Sequence, residues 1–144
     1  INLIDEKIIN NSDIIYIHQE IENKEKVVKK ILEKNKTPGL VLHSINNYEN
    51  LEEIILNFKE ILILSIKKPG VSGQEFNEDS YNLIERINLL KKRNNLNVCV
   101  DGGVKSNLIN KFTSEKVVSG SDVLNSEHPV KKIMKLQTVA RYEK

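Results

Sequence analysis

Residues 61–76 read ILILSIKKPGVSGQEF and show the pattern that decides the fold. The stretch 61–66 is apolar at nearly every position, as is typical of a strand that is covered on both faces of a parallel sheet. It runs directly into a loop that contains Pro69, Gly70 and Gly73, residue types that interrupt regular structure. The stretch therefore predicts a buried strand whose carboxyl end opens into a glycine-containing loop.

The same order, a short apolar run followed by a longer amphipathic segment, repeats along the chain. We predict five strands, at Ile14–His18, Gly39–Leu42, Ile61–Ile66, Asn97–Asp101 and Lys116–Ser119. We predict helices at residues 24–35, 49–58, 78–93, 106–112 and 129–136, and Pro38-Gly39 interrupts the pattern where the second strand begins. Strands that alternate with helices imply an α/β fold with a parallel sheet. Because the composition does not shift along the chain, we assign residues 1–144 to one domain.

Composition and charge exclude several classes of protein. The chain has 144 residues, of which 39% are hydrophobic and 29% charged, a balance typical of a globular domain. No apolar run approaches the roughly 18 residues of a membrane span, and residues 1–10 lack a signal-peptide pattern, so we expect a cytoplasmic protein that does not enter membranes. A net charge of +2 and 5% aromatic residues argue against a nucleic-acid partner. The single Cys99 excludes an internal disulfide.

Five of the six glycines fall where a predicted strand ends. These are Gly70, Gly73, Gly102, Gly103 and Gly120. Because the carboxyl ends of parallel strands meet at one rim, we expect the turns to lie together there. Backbone N–H groups in such turns bind anions, so Gly102-Gly103 and Gly120-Ser121 predict a phosphate site. The alternative is that these glycines serve only tight turns that require a positive φ.

Asp101 ends the fourth predicted strand, directly before the Gly102-Gly103 turn. A partly buried carboxylate needs a partner there, which could be a metal, a lysine or N–H groups of the turn. A carboxylate can also transfer protons at a carbon next to a carbonyl group. The alternative is that Asp101 only caps its own turn. The alternation of a strand places Cys99 on the same face, where a small core residue is expected rather than a nucleophile.

Three further polar residues lie at or just after the ends of the first two predicted strands. His18 and Glu20 are two positions apart and share a face if the strand continues, which favours a pocket wall over a metal-binding pair. His43 directly follows the second strand, and we expect it at the polar rim of the fold.

The loop and the two turns resemble those of the ribulose-phosphate 3-epimerase family. Residues 64–76, LSIKKPGVSGQEF, are similar to the loop after that family's sixth strand, a Ser followed by Pro-Gly-x-x-Gly-Gln-x-Phe. VDGGV at 100–104 and VSGS at 118–121 resemble the ends of its seventh and eighth strands, and residues 12–20 resemble its fourth. The resemblance implies a (β/α)8 barrel of the TIM type, of which this chain holds about five β/α units, strands four to eight.

The resemblance also implies a function in carbohydrate metabolism, within the pentose phosphate pathway. The implied reaction is the interconversion of D-ribulose 5-phosphate and D-xylulose 5-phosphate by metal-assisted proton transfer at C3, with zinc, iron, manganese or cobalt as the divalent metal. Asp101 would be both a catalytic acid/base and a metal ligand. Substrate and phosphate binding would fall to Gly70, Val71, Ser72, Gly73, Gly102, Gly103, Gly120 and Ser121.

The family's first three strands carry a Ser, a His-x-Asp pair and a further His, and no segment here matches them. We therefore expect the barrel to be completed by an N-terminal part or by another chain, with a homo-oligomer as one form. Two alternative functions are compatible with the same turns. One is another sugar-phosphate barrel enzyme, such as a hexulose-phosphate synthase, and the other is a non-catalytic phosphosugar-binding protein.

Overall fold

The computed structural model describes residues 9–142, which form one parallel sheet and the helices that connect its strands. Residues 1–8, most of the segment that bears on a signal peptide, lie outside the described residues. The strands are β1 (Ile14–His18), β2 (Thr37–His43), β3 (Glu60–Leu64), β4 (Asn97–Asp101) and β5 (Lys116–Val118). The helices are α1 (Lys24–Glu33), α2 (Leu51–Ile55), α3 (Ser80–Asn94), α4 (Ser121–Leu124) and α5 (Pro129–Tyr142).

The order of strands in the sheet follows the chain, from β1 to β5, and every neighbouring pair is parallel. The predicted α/β class and parallel sheet are therefore confirmed. The sheet is not closed, since β1 and β5 each pair on one side only among the described strands. This is the partial barrel that five β/α units predict. None of the helices within residues 9–142 has the length and apolar character needed to cross a membrane.

Several predicted boundaries were wrong. β2 starts at Thr37, two residues before the predicted start at Gly39, and so includes Pro38, because a proline near the start of a strand removes only one donor from the ladder. The helix predicted at 106–112 is a single 3-10 turn, Ile109–Lys111, and α4 was not predicted. Helices this short bury too few apolar residues to leave a periodic pattern in the sequence.

The core lies between one face of the sheet and the helices. Alternate residues of the three central strands face the helices and are fully buried: Leu40, Leu42, Ile61, Ile63, Val98 and Val100. The helices cover them with apolar side chains that include Ile31, Ile55, Ile84 and Ile87. Burial of this apolar surface is the main driving force that holds the strand ends in place.

The opposite face of the sheet carries a polar layer at the amino ends of the strands. Glu60, although only 7% exposed, accepts hydrogen bonds from Tyr16 Oη (3.3 Å), Asn97 Nδ2 (2.8 Å) and Lys116 Nζ (3.1 Å). Burial, and next the Glu60 charge, raise the pKa of Tyr16. A Cβ at Gly39 would collide with the Tyr16 ring, so the missing side chain lets the ring cross β2 to reach Glu60. This layer lies at the end of the sheet opposite to the predicted site.

Candidate active site

A cavity of about 360 Å³ opens at the carboxyl ends of β3, β4 and β5. Its wall contains Asp101 together with every residue predicted to bind substrate or phosphate, namely Gly70, Val71, Ser72, Gly73, Gly102, Gly103, Gly120 and Ser121. Leu64, Ile66 and Val118 supply apolar surface. The fold thus brings together residues from three separate segments of the chain, and their roles in binding and catalysis stay predictions.

A second cavity of about 460 Å³ adjoins the first. The two share part of their walls, since Gly73, Gln74, Gly103, Gly120 and Ser121 line both. The second cavity extends towards α4 and α5, where its lining becomes polar and charged through Lys105, Asp122 and Lys132. The two glycine turns therefore lie at the junction of a partly apolar chamber with a charged one.

Ser65 connects the turn after β4, through hydrogen bonds, to the start of the long loop, which comprises residues 65–79 between β3 and α3. It is fully buried, its amide donates to the carbonyl oxygen of Asp101 (2.7 Å), and its hydroxyl lies 2.8 Å from the carbonyl oxygens of Asp101 and Gly102. The amide of Asn77 in turn donates to the carbonyl oxygen of Ser65 (2.8 Å). Ser65 is part of the family pattern, but the sequence alone assigned no role to it.

The glycines that line the cavity are needed for different reasons. Gly102 and Gly103 have φ values of +119° and +64°, and a Cβ at Gly103 would lie 2.5 Å from the carbonyl carbon of Glu75 and closer still to the amide nitrogen of Phe76. Turn geometry and packing therefore account for these two glycines. Gly120 has φ −85°, and a Cβ there would meet nothing within 4 Å. Among the described residues, neither geometry nor packing requires glycine at 120, and this residue lines both cavities.

Gln74 organises the long loop from within. Its side-chain Oε1 accepts from the amide of Lys68 (2.9 Å), while Nε2 donates to the carbonyl oxygens of Lys68 (2.6 Å) and Val71 (2.7 Å). Gly70 and Gly73 take positive φ values of 81° and 77°, which let the loop fold back on itself. Sequence reasoning missed this role of Gln74, although the Gly-Gln pair of the family pattern pointed to the position.

His43 does not lie at the polar rim, as the sequence predicts, because it is only 7% exposed. Its Nε2 lies 2.6 Å from the carbonyl oxygen of Ile66, and its amide donates to the hydroxyl of Tyr48 (2.9 Å). A carbonyl at the start of the long loop needs a donor, and the His43 ring supplies it. His18 and Glu20 line neither cavity, so the structure does not place them in a wall of this site.

Asp101 lies half-buried in the wall of the first cavity, and burial raises the pKa of its carboxyl group. Within residues 9–142, no hydrogen bond or ion pair engages this carboxylate, so the alternative of a turn cap has no support. Cys99 is 5% exposed, as expected of a core residue, and burial followed by the Asp101 charge raises the pKa of its thiol. Asp101 is therefore an ionisable group that no hydrogen bond or ion pair of the described residues uses.

The described residues do not form a metal site by themselves. No three His, Cys, Asp or Glu side chains within residues 9–142 are grouped so that they could hold a metal ion. Asp101 is the one predicted ligand among them, whereas a zinc ion takes about four ligands and larger cations more.

The sequence pattern of the ribulose-phosphate 3 epimerase family matches residues 2–124. The chain is 31% identical to the ribulose-phosphate 3-epimerase of Helicobacter pylori over 135 residues, which cover 90% of this chain and 62% of that protein. The same enzyme of Aquifex aeolicus is 35% identical over 91 residues, 60% of this chain and 37% of the relative. The chain thus spans less than two thirds of the length of these relatives.

The fold resembles that of 3-hexulose-6-phosphate synthase from Salmonella typhimurium. The TM-score is 0.65, and the alignment covers 90% of this chain and 62% of that one. At 15% identity the likeness concerns the fold and not the reaction. The sequence match, in contrast, covers the loop, the acidic strand end and both glycine turns. On this ground, the chain belongs to the ribulose-phosphate 3-epimerase family.

Proposed function

We propose that the chain provides the phosphate-binding end and one proton-transferring carboxylate of a ribulose-phosphate 3-epimerase. The observation that carries the proposal is the first cavity, in which Asp101 and both glycine turns share one wall. A carboxylate and an anion-binding turn in one chamber suit a substrate that has a reacting carbon and a phosphate group. The family of the chain and the names of its relatives support the same reaction.

Asp101 would move a proton at C3 of the sugar. C3 lies next to the C2 ketone, which lowers the cost of removing the C3 proton because the negative charge spreads onto the ketone oxygen. Asp101 would take the proton from one face, and a second carboxylic acid, which the family's first three strands would supply, would return one to the opposite face, so the configuration at C3 inverts and no atom is lost. Since burial raises the pKa of Asp101, its carboxyl group holds and releases a proton nearer to neutral pH than an exposed one.

The glycine turns would hold the phosphate through their backbone N–H groups. Gly120 lines both cavities, and no contact among the described residues requires glycine there. The absence of a side chain is what allows a ligand to approach the backbone closely. The loop at Gly70, Val71, Ser72 and Gly73 would cover the sugar, with Gln74 keeping that loop folded.

A divalent metal, zinc, iron, manganese or cobalt, belongs to the proposal through the family alone. Asp101 is the residue that would contribute to its coordination, together with ligands outside the described set. The proposal also includes a cytoplasmic location and a barrel that is completed by further chain or by a homo-oligomer, as the sequence analysis predicts.

The test is exchange of the C3 proton of D-ribulose 5-phosphate in D2O, followed by NMR on the full-length protein with and without a chelator. Wild type should exchange the proton, and Asp101→Asn should reduce the rate by about a thousandfold while leaving substrate affinity nearly unchanged. Asp79→Asn, which removes an exposed carboxylate outside both cavities, is the matched control and should exchange normally.

Three outcomes separate the possible functions. Exchange at the wild-type rate in Asp101→Asn would remove that residue from the mechanism. Binding of D-ribulose 5-phosphate without exchange in wild type would favour the non-catalytic alternative. Turnover of a hexulose phosphate in place of a pentulose phosphate would favour the synthase alternative.

A further inference from the structure

The second cavity contains an ion pair that the proposed function does not use. Lys132, in the first turn of α5, places Nζ 3.0 Å from Oδ1 of Asp122 in α4. The two side chains are 26% and 15% exposed, so the pair is largely withdrawn from water. Both residues line the cavity that also contains Gly103, Gly120 and Ser121. A lysine ammonium group therefore lies beside the predicted phosphate cradle, which consists of the turns at Gly102-Gly103 and Gly120-Ser121.

The pair is poorly arranged for a purely structural role. Asp122 Oδ2 is buried and has no hydrogen-bond partner among the described residues. A buried carboxylate oxygen without a donor costs free energy, and a stabilising ion pair normally satisfies both oxygens. The position of the pair therefore has to be explained by something other than the stability of the contact between α4 and α5.

We propose that Lys132 is a substrate-binding residue, whose ammonium group contacts the phosphate of a sugar phosphate seated in the glycine cradle. Asp122 is then a positioning residue, which keeps Lys132 at the cavity wall. This inference rests on the proposed function and deepens it, because it names a charged side chain that contacts the phosphate.

The chemistry of a phosphate ligand supports this assignment. Backbone N–H groups contribute only partial positive charge, whereas a phosphate monoester carries between one and two negative charges near pH 7. Lysine binds phosphate as a point charge, and a hydrogen bond between two charged groups is stronger than one between neutral groups. Lys131, the preceding residue, is exposed and lines neither cavity. Only one of the two adjacent lysines is therefore placed to reach the cradle.

The experiment compares Lys132→Met with Lys131→Met in the full-length protein. Both variants remove one lysine charge at adjacent positions of α5. Isothermal titration with D-ribulose 5-phosphate, inorganic phosphate and unphosphorylated D-ribulose separates phosphate binding from sugar binding. We expect Lys132→Met to weaken binding of the two phosphate-containing ligands by about tenfold, with no change for D-ribulose. Lys131→Met should bind all three as wild type does.

Two further variants keep the inference falsifiable if Lys132→Met folds poorly. Lys132→Arg retains the charge and should stay within about threefold of wild type. Asp122→Ala removes the acceptor that positions Lys132, so it should weaken binding of both phosphate-containing ligands and leave binding of D-ribulose unchanged. Wild-type affinity in Asp122→Ala would show that Asp122 does not position Lys132. A loss in Lys132→Arg as large as in Lys132→Met would overturn the inference, since it would reflect packing rather than charge.

The outcomes distinguish this inference from the function on which it rests. If wild type and Lys132→Met bind D-ribulose 5-phosphate equally well, Lys132 only stabilises the contact between α4 and α5. In that case the inference about Lys132 is wrong, and the proposed function is unaffected. If wild type binds neither phosphate-containing ligand, the cradle itself fails, and the proposed function fails with it.

Discussion

Gly103 packs against the backbone of Phe76 so closely that no side chain fits between them. The Phe76 ring in turn lies with its centroid 5.0 Å from that of Tyr81 and 5.8 Å from that of Phe112, with which it is stacked. The turn after β4 is therefore pressed onto the end of the long loop, and the loop end is anchored in an aromatic cluster. This contact fixes the distance between the predicted phosphate cradle and the predicted substrate loop.

Gly103→Ala should destabilise the fold. The added Cβ would overlap the backbone of Glu75 and Phe76, and the positive φ would strain any other residue, for a combined cost of about 3 kcal/mol. The free energy of unfolding, measured by urea denaturation, checks this. Stability equal to wild type would mean that the loop moves away from the turn without cost.

Gly120→Val should leave stability nearly unchanged and weaken binding. A Cβ at this position meets no atom within 4 Å, so the larger side chain is accommodated, but it takes space in both cavities. We expect the affinity for D-ribulose 5-phosphate to fall by about tenfold, which titration calorimetry would show. Unchanged affinity would argue against a phosphate cradle at this turn.

Ser65→Ala should cost about 2 kcal/mol of stability, because the carbonyl oxygens of Asp101 and Gly102 would lose a buried donor. Thermal and urea unfolding measure this loss. Ser72→Ala, at an exposed position of the same loop, is the matched control and should leave stability unchanged. A loss as large in the control would show that the effect does not come from the buried hydroxyl.

Gln74→Met should loosen the loop without unfolding the protein. The substitution preserves the length of the side chain but removes its three hydrogen bonds to Lys68 and Val71. Amide hydrogen exchange of residues 68–74 should quicken by about tenfold. Gln137→Met, the same change at an exposed position of α5, should leave loop exchange as in wild type. Equal protection in both variants would mean that the backbone alone holds the loop.

Asp101→Asn should change how stability depends on pH. Burial raises the pKa of Asp101 above its ordinary value of 3.8, so the folded state binds a proton that the unfolded state releases. Wild type therefore loses stability relative to Asp101→Asn as pH rises from below 3.8 through the raised pKa. Urea unfolding of both proteins between about pH 3 and pH 7 follows this difference. If wild type instead loses stability relative to Asp101→Asn as pH falls, Asp101 has a stabilising partner when it is ionised.

Much of the fold could be predicted because its strands are short, apolar and separated by helices. β1 and β4 have the predicted boundaries, and the remaining strands differ from prediction by at most two residues at either end. The short elements α4 and Ile109–Lys111 were not predicted correctly. Ile109 is the one buried residue of the 3-10 turn and α4 has none, so neither element has an apolar period in the sequence.

The sequence by itself determined the class of fold, the family and the set of residues that gather at the strand ends, because parallel strands place every carboxyl end at one rim. Only the tertiary structure decided what those residues do for one another. It showed that packing requires Gly103 while Gly120 is open, that Gln74 folds the loop, and that His43 is buried beneath it. It also placed Lys132 beside the glycine turns. Such relationships join residues far apart in the chain, and distances of this kind are set by packing and not by local pattern.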